Sequence, residues 1–223
     1  MKKIYMLAIC ITPFLNYHYK PFTYVRTKVK IDKILILPPV SNISVINKGS
    51  RFQTDSALSK MAFEQTTYLL QKNFHDSIKT SYFLPDSAVQ SALARFLMKF
   101  NSEINIELQA NLFRIPDSIV NLLRPSNVNF VFCTINFGFI RTRKNMVNTQ
   151  QASEIADFLV GFNYRPLESS ALMSCAILNL KERNILFFER NILENRNPAD
   201  VKIIDLQMNM AITHYFNANF RPK

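Results

Sequence analysis

The sequence predicts an α/β fold, with a single mixed β-sheet of about four to five strands packed with three to four α-helices, behind a signal-like N-terminal segment. Three observations lead to this prediction. The consecutive apolar residues Ile34–Leu37 are typical of a strand buried on both faces. Apolar residues recur at helical spacing after Thr54 and again after Asp86. Two apolar runs flank the polar segment 181–184, as in a β-hairpin.

The predicted elements follow the chain in a defined order. The first half contains a strand at 33–40 ended by Pro38 and Pro39, a loop at 41–53, a helix at 54–73, a short strand at 80–84, a helix at 86–100, a segment at 101–112 for which we favour a strand over a longer helix, and a helix from Ile115–Pro116 to Pro125. The second half contains a strand at 127–141 with Gly138 as a candidate bulge, a basic loop at 142–150, a short helix at 151–160, the hairpin, and a last helix from Asn197 to about Phe216.

Length and composition favour one well-packed domain. The chain has 223 residues, of which 48% are hydrophobic and 19% charged, and this balance argues against disorder. Only three glycines are present, which nearly excludes a glycine-rich nucleotide-binding loop. We therefore predict a single α/β domain at residues 33–216, followed by a C-terminal tail at 217–223.

The positive charge is concentrated near the N-terminus. Residues 1–33 contain seven basic side chains and Asp32, and so carry +6 of the net charge of +11. The rest of the chain is only mildly basic. This distribution favours anionic partners of any kind, including lipid headgroups, and selects none.

The N-terminal residues have the layout of a targeting segment. Lys2 and Lys3 precede the apolar run Ile4–Leu15, as in a secretory signal, and this run is too short to span a bilayer comfortably. Cys10 is a candidate lipidation site, although no small residue precedes it. Residues 16–32 are rich in aromatic and basic side chains and predict an extended tether. We expect export to the periplasm or the outer membrane; the alternative is a buried N-terminal strand or helix.

The sequence gives little support to catalysis. It contains no Gly-x-Ser-x-Gly, His-Glu-x-x-His, Walker or dinucleotide-binding motif, so we predict no catalytic residue, no metal site and no cofactor. Glu103 and Glu107 share one face of a helix or strand, which leaves a paired-carboxylate reaction as an alternative to a solvated face. Cys133 and Cys175 lie in apolar runs and are expected to be inert thiols, or a disulfide if their strands are neighbours.

Two polar segments are candidates for partner binding. The first follows the strand at 33–40, at the end of a strand where open α/β sheets bind ligands, and the second follows the strand at 127–141. A phosphate site in the first segment is disfavoured because Asp55 stands at the start of the next helix, where a bound anion would lie. The candidate residues are Ser41, Asn42, Lys48, Gly49, Ser50 and Arg51 in the first segment, and Arg141, Arg143 and Lys144 in the second.

Several segments resemble a known group of envelope proteins. They are "KILILPPVSN", "TDSALSKMAFEQTTYLL", the helix start at Ile115–Pro116, the strand ending in "GF", the hairpin "LMSCAILNLKERNILFFER" and the closing helix. Together they resemble the α/β domain of bacterial envelope lipoproteins related to the TolB amino-terminal and CsgG-like domains, over about residues 33–216. The resemblance implies a periplasmic or outer-membrane-associated domain that serves assembly or transport and has no catalytic residues.

Three functions follow as expectations. The first is an exported, non-enzymatic envelope protein that binds another envelope protein or an anionic membrane surface. The second is a basic nucleic-acid-binding protein that uses residues 16–32 and 141–144, a partner class we regard as less favoured. The third is an unrecognised hydrolase. The sequence predicts no oligomeric state.

Overall fold

The computed structural model of the protein describes residues 22–25, 29, 31–47, 49, 51–73, 79–82, 87–104, 107–160 and 166–220. In this part of the chain eight strands form one mixed sheet, and six α-helices accompany it. The predicted α/β class is confirmed. The predicted numbers of strands and of α-helices were both too low, and three of the strands lie in segments that were assigned to the tether and to a loop.

The bounds of the elements are as follows. The strands are Phe22–Val25 (β1), Lys33–Ile36 (β2), Val40–Ile46 (β3), Phe52–Thr54 (β4), Lys79–Tyr82 (β5), Phe130–Arg141 (β6), Ser169–Asn179 (β7) and Asn184–Glu194 (β8). The helices are Ser56–Asn73 (α1), Ser87–Glu103 (α2), Glu107–Leu112 (α3), Asp117–Leu123 (α4), Arg143–Val160 (α5) and Val201–Phe220 (α6), with a 3₁₀ turn at Arg124–Ser126.

The strand β6 organises the sheet. The strand order is β1-β8-β7-β6-β2-β5, with β3 also paired to β6 and β4 paired to β3. The strands β2 and β3 run parallel to successive parts of β6, from Ile34 opposite Phe130 to Ile46 opposite Arg141. Pro38 and Pro39 separate them, because proline has no N–H group to donate to the ladder. The predicted loop at 41–53 is therefore wrong: it contains β3, a turn and β4.

Hydrophobic residues are buried on both faces of the sheet. One core lies under α2 and α4 and includes Phe100 and Leu123, and the other lies under α1 and α6 and includes Leu70 and Met208. The apolar run of β2 serves both cores: Ile34 and Ile36 face one of them, and Leu35 and Leu37 face the other. This arrangement confirms the prediction of a strand buried on both faces.

Part of the predicted tether belongs to the sheet. The strand β1 pairs antiparallel with β8, and Tyr24 is 3% exposed. The Tyr24 hydroxyl donates a hydrogen bond of 2.8 Å to Asn111 Oδ1 in α3. Ile31 is buried as well. The interpretation of residues 16–32 as an extended tether is therefore wrong for Phe22–Val25, while residues 1–21, including Cys10, lie outside the described part of the chain.

Two further segments are helical where we predicted otherwise. The favoured strand at 101–112 is instead the end of α2 and the helix α3. The basic loop predicted at 142–150 is the first half of α5, and Thr142 caps it: its hydroxyl accepts a hydrogen bond of 3.3 Å from the Asn145 N–H. The period-two pattern at 101–112 is typical of a strand and the polar composition at 142–150 is typical of a loop, although both segments are helical.

Other local predictions hold. The hairpin of β7 and β8 flanks residues 180–183, and the prolines end β2. Asp55 caps α1, since its carboxylate accepts a hydrogen bond of 2.9 Å from the Leu58 N–H. The disulfide alternative is wrong, because Cys133 and Cys175 are free and buried in the cores on opposite faces of the sheet, although β6 and β7 are neighbours.

Candidate partner-binding surface

The two predicted binding segments meet at one end of the sheet. Because β3 runs parallel to β6, the carboxyl ends of these strands lie side by side. The Thr142 N–H, just after β6, donates a hydrogen bond of 3.1 Å to the Ile46 carbonyl at the end of β3. The turn between β3 and β4, which contains Gly49, therefore lies next to the start of α5, the helix that begins with Arg143 and Lys144.

Asn145 ties these two segments together. Its side chain is 2% exposed, its Nδ2 donates to the Gly49 carbonyl at 2.9 Å, and its Oδ1 accepts from Arg141 Nη1 at 2.7 Å. A buried amide with both ends bonded fixes the groups that it joins. Gly49 has a φ of +59°, a conformation that glycine adopts without strain. The sequence pattern did not indicate Asn145, although Thr142, a residue type that caps helices, precedes it by three positions.

Arg141 is engaged within the fold. Its Nε donates to the Leu167 carbonyl at 2.9 Å, and its guanidinium lies 5.8 Å from the ring centre of Phe139. These contacts, with the bond to Asn145, hold a half-buried side chain in place. Arg141 therefore has a structural role. The exposed cations in the two segments are Arg51, Arg143 and Lys144.

An exposed aromatic residue follows Arg51 in the chain. Phe52, the first residue of β4, is 63% exposed and makes an edge-to-face contact with Phe139, with ring centres 5.4 Å apart. Exposed aromatic and arginine side chains are enriched among residues that dominate protein interfaces. We call this region the hairpin surface, and define it as Gly49, Arg51, Phe52, Arg143 and Lys144.

The remaining candidate residues lie elsewhere. Ser41 and Asn42 stand near the start of β3, about 13–16 Å from its carboxyl end at 3.3 Å per residue. Asn42 accepts a hydrogen bond of 3.2 Å from the Thr54 hydroxyl across the hairpin, and the Ser41 Oγ is buried without a hydrogen-bond partner in the described part of the chain. Lys48 and Ser50 fall outside the described residues, so their role stays a prediction.

The groups considered for catalysis do not form a site among the described residues. Glu103 lies 3.6 Å from Lys99 in an exposed ion pair, and the Glu107 side chain is outside the described part. Between 22 and 220, the described histidine, cysteine, aspartate and glutamate side chains form no group of three that could hold a metal ion. None of the described helices is long and apolar enough to cross a membrane.

A small apolar cavity lies at the carboxyl ends of β2 and β5. It has a volume of about 190 Å³ and is walled by α1, α2, Pro38 and Tyr82. The Tyr82 hydroxyl donates to the Leu70 carbonyl at 3.4 Å, and burial raises the pKa of that hydroxyl. Ligand pockets commonly have volumes of about 300–1,000 Å³, so this cavity is too small for a nucleotide or for a cofactor as large as a nucleotide.

Comparison with known proteins gives distant structural similarities. No protein-family model and no curated protein matches this chain. Similar solved structures include the PelC dodecamer from Paraburkholderia phytofirmans, with 6% identity and a TM-score of 0.41, covering 91% of this chain and 99% of that chain. The LpoB C-terminal domain from Salmonella enterica has 8% identity and a TM-score of 0.30, covering 74% and 84% respectively. Lipoprotein GNA1162 from Neisseria meningitidis has 8% identity and a TM-score of 0.33, covering 83% and 98%. The relation to TolB and CsgG-like domains stays a prediction, and the function of this chain rests on its own residues.

Proposed function

We propose that this chain is an exported, non-enzymatic protein of the cell envelope, whose α/β domain binds another envelope protein through the hairpin surface. The observation that carries the proposal is the hydrogen bond from Asn145 to the Gly49 carbonyl, which joins the turn before Arg51 and Phe52 to the start of α5 with its exposed cations. A preorganised surface loses little conformational entropy when a partner binds.

The chemistry of the surface defines the partner. Arg51, Arg143 and Lys144 are exposed and make no ion pair with another described residue. Three unpaired cations favour a partner with an acidic patch, because complementary charges accelerate association and select the correct partner. Phe52 adds an apolar anchor, so the preferred site on the partner combines carboxylates with a hydrophobic depression.

Site-specific photo-crosslinking in cells tests this proposal. A photoreactive amino acid is placed at Phe52, and a matched probe is placed at Leu112, an exposed apolar residue of α3 that is outside the hairpin surface. We expect a crosslink to an envelope protein from position 52 and none from position 112. Arg51→Gln, combined with the probe at 52, should reduce the yield, whereas Arg196→Gln, at another exposed arginine, should not.

Cell fractionation completes the experiment. The proposal requires the chain in the envelope fraction, with the crosslinked protein beside it. A chain that keeps Met1 and stays in the cytosol, or equal crosslinking from positions 52 and 112, would contradict it. Crosslinking to nucleic acid, with binding that falls steeply as salt rises, would instead support the nucleic-acid alternative.

A further inference from the structure

The helix α5 carries an outward face that nothing covers in the described part of the chain. The helix has 18 residues, yet it makes no extensive contact with any other described helix or strand. Its apolar side chains Val147, Ile155 and Phe158 are 47%, 60% and 89% exposed. Helices of globular proteins gain most of their stability by packing an apolar face against another part of the protein.

These apolar residues lie on the same side of the helix as its charges. Val147, Gln151, Ile155 and Phe158 follow one another at spacings of four, four and three residues, which places them on one face. Arg143 and Lys144 lie one turn before Val147, and Glu154 lies one turn before Phe158, so they border the same face. The opposite side contains Asn145, which is buried against the hairpin turn.

The charges are distributed unfavourably for a solitary helix. Its first turn contains Arg143 and Lys144 and no acidic residue, and its last part contains Glu154 and Asp157 and no basic residue in the last turn. This is opposite to the pattern that the helix dipole favours. None of the four charges forms an ion pair with another described residue.

The same distribution is self-complementary. If two copies of α5 pack antiparallel about a two-fold axis near Gln151, the cationic end of each helix lies along the acidic end of the other. Val147 of one copy then faces Ile155 of the second copy, and the long Lys144 side chain reaches carboxylates within one 5.4 Å turn. An isologous arrangement uses each favourable contact twice.

We propose that the outward face of α5 is a homodimer interface, in which two copies pair antiparallel through Val147, Ile155 and Phe158 and through the charges at the helix ends. This interface shares Arg143 and Lys144 with the hairpin surface, whereas Glu154, Asp157 and the three apolar residues of α5 lie outside that surface. A two-helix contact is small for a stable protein interface, so we expect dissociation constants in the micromolar range.

Charge reversal on the full-length chain tests the dimer by sedimentation velocity and native mass spectrometry. One variant combines Arg143→Glu with Lys144→Glu, and the other combines Glu154→Lys with Asp157→Lys. Each variant places like charges at both ends of the antiparallel pair and should weaken dimerisation about tenfold or more. An equimolar mixture of the two variants should form a heterodimer, which the masses identify, because opposite charges then meet at both ends.

The charge reversals in α5 should weaken the dimer without weakening the fold of the monomer. Glutamate near the N-terminus and lysine near the C-terminus both suit the helix dipole, so each variant should keep or increase its helical circular dichroism signal while losing the dimer. Phe158→Ser is a second variant that should weaken the dimer without unfolding an 89% exposed position. A further variant carrying all four charge reversals should again form a homodimer.

Three results would overturn the proposal. They are a monomeric wild-type chain at high micromolar concentration, charge-reversed variants that dimerise as the wild type does, and a mixture of variants that stays monomeric. Stronger binding of the Glu154→Lys, Asp157→Lys variant to anionic vesicles, without heterodimer formation, would assign the face to a membrane surface instead. The Glu154→Lys, Asp157→Lys variant leaves every residue of the hairpin surface unchanged, so crosslinking from position 52 in that variant measures the binding of an envelope protein separately from the dimer.

Discussion

Gly138 lies where two parts of the chain approach each other closely, and not where β6 is kinked. We predicted a bulge at this position, but β6 and β7 pair without a register shift from Phe130 to Ile140. A Cβ atom on Gly138 would lie 2.3 Å from the Ser170 carbonyl oxygen and 2.4 Å from the Pro198 Cβ. The glycine therefore allows the segment before α6 to pass over the central strand.

This geometry predicts a destabilising effect of Gly138→Ala. The added methyl group meets a backbone oxygen and a rigid proline ring, so we expect the free energy of unfolding to fall by about 1–3 kcal/mol, as in other overpacked sites. Urea denaturation measures the change. Gly49→Ala is the control: nothing lies within 4 Å of its added Cβ, and only the positive φ opposes it. A smaller loss at Gly138 than at Gly49 would contradict the prediction.

At the scale of elements, the start of α5 determines the hairpin surface. Thr142 caps the helix, and Asn145, one turn later, joins it to the turn after β3. The helix end and the hairpin are therefore expected to order one another.

Asn145→Ala tests this dependence. The change removes the donor to the Gly49 carbonyl and the acceptor of Arg141, so we expect a loss of about 1–3 kcal/mol in the free energy of unfolding. Faster proteolysis at the 47–51 turn of the native protein should accompany it. Asn148→Ala, on the exposed side of the same helix, should change stability by less than about 0.5 kcal/mol. Equal effects of the two substitutions would show that Asn145 does not hold the turn.

At the scale of the whole molecule, local patterns were predictable and long-range pairing was not. The apolar strand β6, the hairpin of β7 and β8, and the cap at Asp55 depend on neighbouring residues, and the sequence predicted all three. The pairing of β2 and β3 with one strand across Pro38 depends on β6, almost a hundred residues away. The pattern of apolar and polar residues within one segment does not show which distant strand that segment pairs with.

The same distinction applies to the candidate surface. Two separate groups of residues, one with Gly49 and Arg51 and the other with Arg143 and Lys144, were predicted from the sequence because each group follows an apolar run. Their convergence depends on the parallel register of β3 and β6. Phe52 was overlooked because its exposure depends on the edge position of β4, which only the assembled sheet defines.

The two cores on either side of the sheet each bury one thiol, and this burial predicts how the stability of the protein changes at alkaline pH. Cys133 and Cys175 are buried on opposite faces of the sheet. Burial raises the pKa of Cys133 from 9.0 to about 12. Burial also raises the pKa of Cys175, and the negative charge of the nearby Glu189 carboxylate raises it further. Unfolded thiols therefore lose protons above pH 9, while the native thiols keep theirs. Proton release then favours unfolding, and stability is lost as the pH rises.

We expect the free energy of unfolding to fall above pH 9 by up to about 1.4 kcal/mol per pH unit for each buried thiol. Urea denaturation from pH 7 to 10.5 measures this slope for the wild type and for the Cys133→Ala, Cys175→Ala variant. All other ionisable groups are common to both proteins, so the difference between the slopes isolates the two buried thiols. The variant begins less stable because of its cavities, but should lose less stability with pH. Identical slopes would mean that these thiols are accessible to deprotonation in the native state.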